Sequence, residues 1–241
     1  KYTDIIKNEL IDIKDDGSYK LNMNYFDFCV GLEMTNEKFN NLFGGLPRKK
    51  EAEITQREMD LAASIQKVTE EIVIKLAKDI SKKSSQKNLC LAGGVALNCV
   101  ANGKLNKENL FEKIWIQPAA GDAGGALGAA YSVYYNMLNK PRLIEKNHDL
   151  MQGSYLGPAI NYNNTQKFFK KINAKFHEFE EEKIIRLTAE AIKDGKAVGW
   201  VNGRMEFGPR ALGNRSIIAD ARSSIMQKNL NLKIKYRESF R

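Results

Sequence analysis

The chain has 241 residues, 43% of them hydrophobic and 28% charged, a globular composition that excludes wholesale disorder and suits one large domain or two modest ones. Its apolar runs fall far short of the ~20 residues a membrane helix needs, and Lys1-Tyr2-Thr3-Asp4 shows no basic-then-apolar leader. A formal net charge of +9 leaves two partner classes open, nucleic acid and small anions such as nucleotide phosphates.

The first residue is not Met, so the sequence reads as processed or as cut from a longer chain. Asp15-Asp16-Gly17 predicts a hairpin turn, and Phe43-Gly44-Gly45-Leu46-Pro47 with Arg48, Lys49 and Lys50 an exposed loop. Thr55 and Glu58 have the spacing of a capping box. Behind them Met59, Ala62, Ala63, Val68, Ile72, Leu76 and Ile80 recur at three- and four-residue steps, predicting a helix to about Lys82 whose apolar stripe needs a cover. Residues 88–92 read as a short apolar strand, Gly93-Gly94 as a turn, and Val95-Ala96-Leu97-Asn98 as the opening of a helix. The pattern recurs as a strand at 113–116, a turn at Gly121-Asp122-Ala123-Gly124-Gly125 and a helix over 126–138. Two strand–glycine–helix units in succession predict an α/β layer fold with its ligand face at those turns. Residues 141–151 read as a connector, and a domain boundary is expected near residue 152. A helix over 181–193 ended by Gly195, a strand over 197–201 and an arginine- and glycine-rich stretch complete the pattern. No period of 20 to 50 residues repeats, which excludes solenoids and arrays.

Where a strand hands over to a helix, the first helical N–H groups are unpaired and favour an anion. Gly93, Gly94, Gly124 and Gly125 are placed for a phosphate to approach the backbone; tight strand–helix packing is the competing reason for small residues there. Neither G-x-x-x-x-G-K-[ST] nor a post-strand G-x-G-x-x-G occurs, which sets aside the P-loop and weakens a dinucleotide reading. Asp122 has two readings, a helix cap or a carboxylate that positions a metal ion. Arg204, Arg210 and Arg215 stand among three glycines with one glutamate, and Met205, Phe207, Leu212 and Ile217-Ile218 should anchor that segment. Fixed, permanently charged guanidiniums on anchored backbone predict an anion site. Lys233, Lys235, Arg237 and Arg241 around Tyr236 and Phe240 could face a nucleic-acid strand, extend the same pocket or form a charged surface. His148 and His177 read as surface residues. Cys29, Cys90 and Cys99 lack C-x-x-C spacing and read as reduced thiols of a cytoplasmic protein. No G-x-S-x-G elbow is present.

Taken together, Leu91-Ala92-Gly93-Gly94-Val95-Ala96-Leu97-Asn98, Pro118-Ala119-Ala120-Gly121-Asp122-Ala123-Gly124-Gly125-Ala126-Leu127-Gly128 and Gly203-Arg204-Met205-Glu206-Phe207-Gly208-Pro209-Arg210-Ala211-Leu212-Gly213-Asn214-Arg215-Ser216 resemble the nodulation and antibiotic O-carbamoyltransferases. The runs from Thr55 to Ala62 and from Asn231 to Arg241 fit as well, so the resemblance covers nearly the whole chain in the expected order. It implies an α/β chain in which residues 1–151 are the C-terminal half of an actin/Hsp70/sugar-kinase-like ATPase domain. Residues 152–241 would then begin an α+β domain that forms a carbamoyl adenylate. It also implies carbamoyl phosphate and ATP as reactants, carbamoyl-AMP and pyrophosphate as products of the first step, and transfer of the carbamoyl group to a small-molecule hydroxyl. Gly93, Gly94 and Asn98 match the family's nucleotide-binding stretch, with Gly124 and Gly125 on the second phosphate-facing turn. Asp122 matches the aspartate that binds a divalent metal ion (Fe or Mg), and Arg204, Arg210 and Arg215 fall in the adenylate-forming part. The family's other metal ligands are histidines from an earlier part of the first domain, and no such pair occurs here. The chain is accordingly expected to be an internal segment, inactive by itself, with no membrane or nucleic-acid partner and with self-association left open. The alternatives are a relative that joins a threonylcarbamoyl group to tRNA adenosine, and a non-catalytic ATP-binding module.

Overall fold

A computed structural model describes residues 1–144 and 148–241; residues 145–147, inside the expected connector, lie outside the described residues. The chain forms two compact units, the first made of residues 1–91 and 95–116, the second of 92–94 and 117–241.

In the first unit a short helix α1 (Thr3–Ile5) runs into a π-helical turn (Ile6–Leu10) and the antiparallel hairpin β1 (Ile11–Ile13) and β2 (Tyr19–Leu21), turned at Asp15-Asp16-Gly17 as expected. Gly17 holds φ +86°, and a Cβ there would come 2.5 Å from the backbone nitrogen of Leu76, so both turn and packing demand glycine. Helix α2 (Glu37–Leu42) follows, N-capped by Asn36, whose side chain accepts from the N–H groups of Lys38 and Phe39. Helix α3 (Gln56–Lys83) is the spine of the unit and begins with the expected Thr55–Glu58 capping box. Val68 joins a core of Ile6, Leu10, Ile11 and Phe43, and two to three turns later Ala77 joins Leu89 and Leu105.

The buried stripe of α3 departs from the apolar pattern. Met59, Leu76 and Ile80 are exposed, while Ser64 and Glu70 are buried with Val68 and Ala77. Specific partners make polar burial tolerable. Ser64 Oγ accepts from the Tyr2 N–H (3.0 Å) and donates to the Asp60 carbonyl (2.6 Å). Glu70 is 6% exposed; it pairs with Lys104 and accepts from Gln66 Nε2 at 2.9 Å. The Lys104 ammonium, then Gln66, hold the Glu70 carboxyl below the usual carboxylate range against the opposing effect of burial. A depressed folded-state pKa gives stability that is present above pH ~4.5 and lost as the pH falls further. Lys104→Met removes the cation and is expected to cost about 1–3 kcal/mol at neutral pH and to flatten the acid limb of stability. Urea unfolding at pH 7 and pH 4 would check it, and an unchanged midpoint at pH 7 would refute it.

Strands β3 (Asn88–Leu91) and β4 (Lys113–Ile116) pair in parallel, Asn88 opposite Lys113 through Leu91 opposite Ile116, with α4 (Cys99–Lys107) crossing between them and packing on α3. The expected helix opening at 95–98 is instead a 3-10 turn (Gly94–Leu97), and Asn98 stands outside α4 as its N-cap. The reason is local: Asn98 Oδ1 accepts from the Ala101 N–H at 3.1 Å, which favours a non-helical Asn98.

In the second unit α5 (Asp122–Ser132) starts four residues earlier than the spacing predicts and passes into a π-helical turn (Val133–Met137). Gly124 and Gly125 therefore lie within its first turn. Helix α6 (Tyr162–Lys171), unanticipated in the sequence, is N-capped by Asn161, and α7 (Glu181–Lys193) has the expected bounds, with Gly195 beyond it at φ +77°. Strands β5 (Val198–Val201) and β6 (Arg215–Ile218) pair antiparallel, Val201 opposite Arg215, so the arginine-rich stretch is the connection of a hairpin. Helix α8 (Met226–Asn229) and a π-helical turn (Leu230–Ile234) come last. The architecture is mixed α/β with three two-stranded sheets among the described residues. No helix among them is long and apolar enough to cross a membrane. Cys29, Cys90 and Cys99 are free and exposed; the two histidines are exposed, His177 stacking on the Phe179 ring.

Candidate functional site

Three segments singled out by their glycines meet in the second unit at Ala119 and Ala120, which are 0% and 5% exposed. The Gly93 N–H donates to the Ala120 carbonyl at 2.7 Å, joining the first glycine bend to the second. Gly93 has φ +96°, a conformation that disfavours any residue with a Cβ. Gly124 sits against the Ala119 carbonyl so closely that a Cβ would lie 2.1 Å from that oxygen. Gly208, at φ +117°, meets the same residue from the arginine segment, where a Cβ would lie 3.0 Å from Ala119 Cβ. The Ala119 N–H donates to Gln117 Oε1 at 3.1 Å.

The glycines divide by what they face. Gly124 is small because the chain packs there. A side chain on Gly93, Gly94, Gly121 or Gly125 would meet nothing within 4 Å, so backbone on these bends is open to a ligand. Asp122 follows Gly121, the residue that stands at the N-cap position, and makes no cap hydrogen bond; its carboxylate is exposed in the first turn of α5, where negative charge is favoured. The capping reading of Asp122 thus fails on geometry. No group of three His, Cys, Asp or Glu side chains among the described residues could hold a metal ion, so Asp122 alone does not make a metal site.

Asn98 belongs to the first unit, and its amide is fully engaged there. Nδ2 donates to Gln66 Oε1 (2.9 Å), while Oδ1 accepts from Gln66 Nε2 (3.2 Å) and the Ala101 N–H. Gln66 in turn reaches Glu70, so Asn98 stands at the end of a chain of side chains running to Lys104. Nothing in the sequence near Asn98 signals that chain, because Gln66 lies 32 residues away.

The arginine segment lies along the stretch from Ser154 to Ala159. The Phe207 N–H donates to the Ser154 carbonyl (2.6 Å), the Met205 N–H to Pro158 (3.0 Å), and the Gly157 N–H to Met205 (2.9 Å). Two of the three guanidiniums serve this framework. Arg204 Nε donates to the Tyr155 carbonyl at 3.0 Å and Nη2 to Leu156 at 3.3 Å. Arg215 Nη1 donates to the carbonyls of Asn202 (2.9 Å), Gly203 (3.4 Å) and Asn214 (2.8 Å), and Nη2 to Pro158 at 3.5 Å. Arg210, two residues past the Gly208 contact, is exposed, and its guanidinium has no partner among the described residues. The single glutamate of the segment points inward: Glu206 is 6% exposed, and its Oε1 accepts from the N–H groups of Leu212 (2.8 Å), Asn214 (2.9 Å) and Arg215 (3.3 Å). Burial pushes this carboxyl up, but the N–H groups of Asn214 and Leu212, with those of Glu206 itself and Arg215, outweigh it and hold the pKa at about 2. Among the described residues no guanidinium forms an ion pair with it.

The glycine bends and the arginine loop of this mixed α/β chain lie in stretches shared with a known class of transferases. The chain belongs to the carbamoyltransferase family: residues 1–131 match the carbamoyltransferase N-terminus and residues 189–241 the carbamoyltransferase C-terminus. It is 53% identical to the uncharacterised protein sll1178 of Synechocystis, over all of this chain and 39% of that one. It is 42% identical to the nodulation protein NolO of Bradyrhizobium diazoefficiens, over 80% of this chain and 35% of the relative. It is 41% identical to the nodulation protein NolNO of Sinorhizobium fredii, over 80% and 28%. The chain thus spans 28% to 39% of the length of these relatives.

Proposed function

We propose that this chain is part of an ATP-dependent O-carbamoyltransferase that moves a carbamoyl group from carbamoyl phosphate, through carbamoyl-AMP, to the hydroxyl of a small molecule. The observation that carries this reading is the meeting of the two glycine bends and the arginine loop at Ala119–Ala120, with Arg210 unpaired among the described residues. In balance, water releases orthophosphate from carbamoyl phosphate, and the carbamate oxygen attacks the α-phosphorus of ATP and expels pyrophosphate. The acceptor hydroxyl then attacks the carbamoyl carbon, loses its proton and expels AMP. The Gly93 and Gly125 N–H groups are already bound to the Ala120 and Gly121 carbonyls, so the groups suited to charge developing on phosphate oxygens are the other N–H groups of these bends and the Arg210 guanidinium.

The reading extends to a half-domain of actin/Hsp70/sugar-kinase type over residues 1–151, the start of a carbamoyl-adenylate-forming domain over 152–241, and a cytoplasmic setting. A divalent ion at Asp122 receives no step, because the chain offers one carboxylate there and no partner ligands among the described residues. The net charge of +9 favours a second reading, transfer of a threonylcarbamoyl group to tRNA. ATP–pyrophosphate exchange by the full-length protein decides between them. Exchange that depends on carbamoyl phosphate is expected. Salt-sensitive tRNA binding without such exchange would support the second reading, and ATP binding without either would mark a non-catalytic module.

A further inference from the structure

We propose that Glu206 is a positioning residue that folds the Leu212–Arg215 turn around its carboxylate and thereby holds the arginine loop in its anion-binding form. The inference rests on the proposed function and concerns a residue that function does not itself require. Three side chains in the loop set its shape from two sides. Arg204 and Arg215 draw backbone carbonyls together, and Glu206 does the reverse, gathering three backbone N–H groups onto one oxygen. Within this turn Gly213 takes φ +106°, and its N–H donates to Ser216 Oγ at 3.0 Å. The chain thus reverses between Leu212 and Arg215 while its donors converge on the carboxylate.

The electrostatic consequence matters as much as the shape. A glutamate beside three arginines would ordinarily pair with one of them and cancel its charge. Backbone N–H groups already take up this carboxylate, so the loop keeps a buried anion for its own folding without lowering the positive charge that Arg210 presents. A site for phosphate needs its donors fixed before the ligand arrives, and residues behind the contact supply that rigidity.

Glu206→Ala and Glu206→Gln in the full-length protein test the proposal, because glutamine keeps an oxygen at the same reach and alanine does not. Amide hydrogen exchange at Leu212, Asn214 and Arg215 is expected to accelerate about 10-fold or more in Glu206→Ala, with β3 unaffected. The KM for carbamoyl phosphate in pyrophosphate exchange is expected to rise about 10–100-fold with a smaller change in kcat, and Glu206→Gln to restore most of both. A KM that stays unchanged or falls in both variants would overturn the proposal, since a carboxylate that merely screens the arginines predicts tighter anion binding on its removal. If Glu206→Ala fails to fold, Glu206→Gln decides alone, and an exchange rate or KM raised more than about 10-fold there refutes the positioning role. If the wild-type protein shows no carbamoyl-phosphate-dependent exchange, the proposed reaction fails separately. Titration with inorganic pyrophosphate then reads the loop: about 10-fold weaker binding by Glu206→Ala supports the role, and equal binding refutes it.

Discussion

Arg210→Ala is expected to lower kcat/KM for carbamoyl-phosphate-dependent pyrophosphate exchange by about 10²–10³-fold, the usual loss when one fixed donor to a developing oxyanion is removed. The thermal midpoint should move by no more than about 2 °C, because an exposed side chain without partners among the described residues contributes little to folding. Arg210→Lys keeps the charge but loses the planar fork, and should recover only part of the activity. Arg204 and Arg215 predict the opposite pattern. Their guanidiniums reach carbonyls more than 40 residues away in sequence, Tyr155 for Arg204 and Pro158 for Arg215, so methionine there should lower the midpoint before it alters any single kinetic constant. Activity of Arg210→Ala at the wild-type level would remove the side chain from the reaction and with it the proposed division of labour among the three arginines.

Gly124→Ala is expected to destabilise the protein although it places a better helix former in a helix. The added Cβ would lie 2.1 Å from the Ala119 carbonyl, an obstacle in the backbone that has no rotamer by which to swing aside. Overpacking of this kind costs about 3 kcal/mol, the upper part of its usual range. Alanine's helix propensity returns about 1 kcal/mol. The net loss of about 2 kcal/mol corresponds to a midpoint lower by about 4–8 °C in a chain of this size. Gly125→Ala is the matched control, since its Cβ meets nothing within 4 Å. There the propensity gain stands unopposed, so the fold should hold while ATP binding weakens if a phosphate approaches that face. Calorimetry on the pair, with nucleotide titration, separates packing from ligand contact; a Gly124→Ala midpoint at or above wild type would show that the Ala119 approach is not the constraint.

Elements with local signals were legible from residue order alone. The capping box at Thr55 and Glu58, the hairpin at Asp15-Asp16-Gly17 and the helix at 181–193 rest on contacts within a few residues, and each stands where the pattern puts it; the strand at 113–116 also stands where its apolar run puts it, although its partner strand lies 25 residues away. The family was legible too, since its motifs are runs of adjacent residues. The start of α5 and the capping role of Asn98 differ by a few residues from what the spacing predicts, because glycine pairs mark a turn and a helix's first turn alike. Folding alone settles which glycine serves packing and which faces open space, which arginine is unpaired among the described residues, and why Ser64 and Glu70 are buried on α3. Most of those outcomes depend on partners distant in sequence, such as Lys104 for Glu70, 34 residues away, and Tyr2 for Ser64, 62 residues away. A side chain's role at such a site is set by what the folded chain has already placed opposite its polar atoms, and composition along the chain carries no record of that.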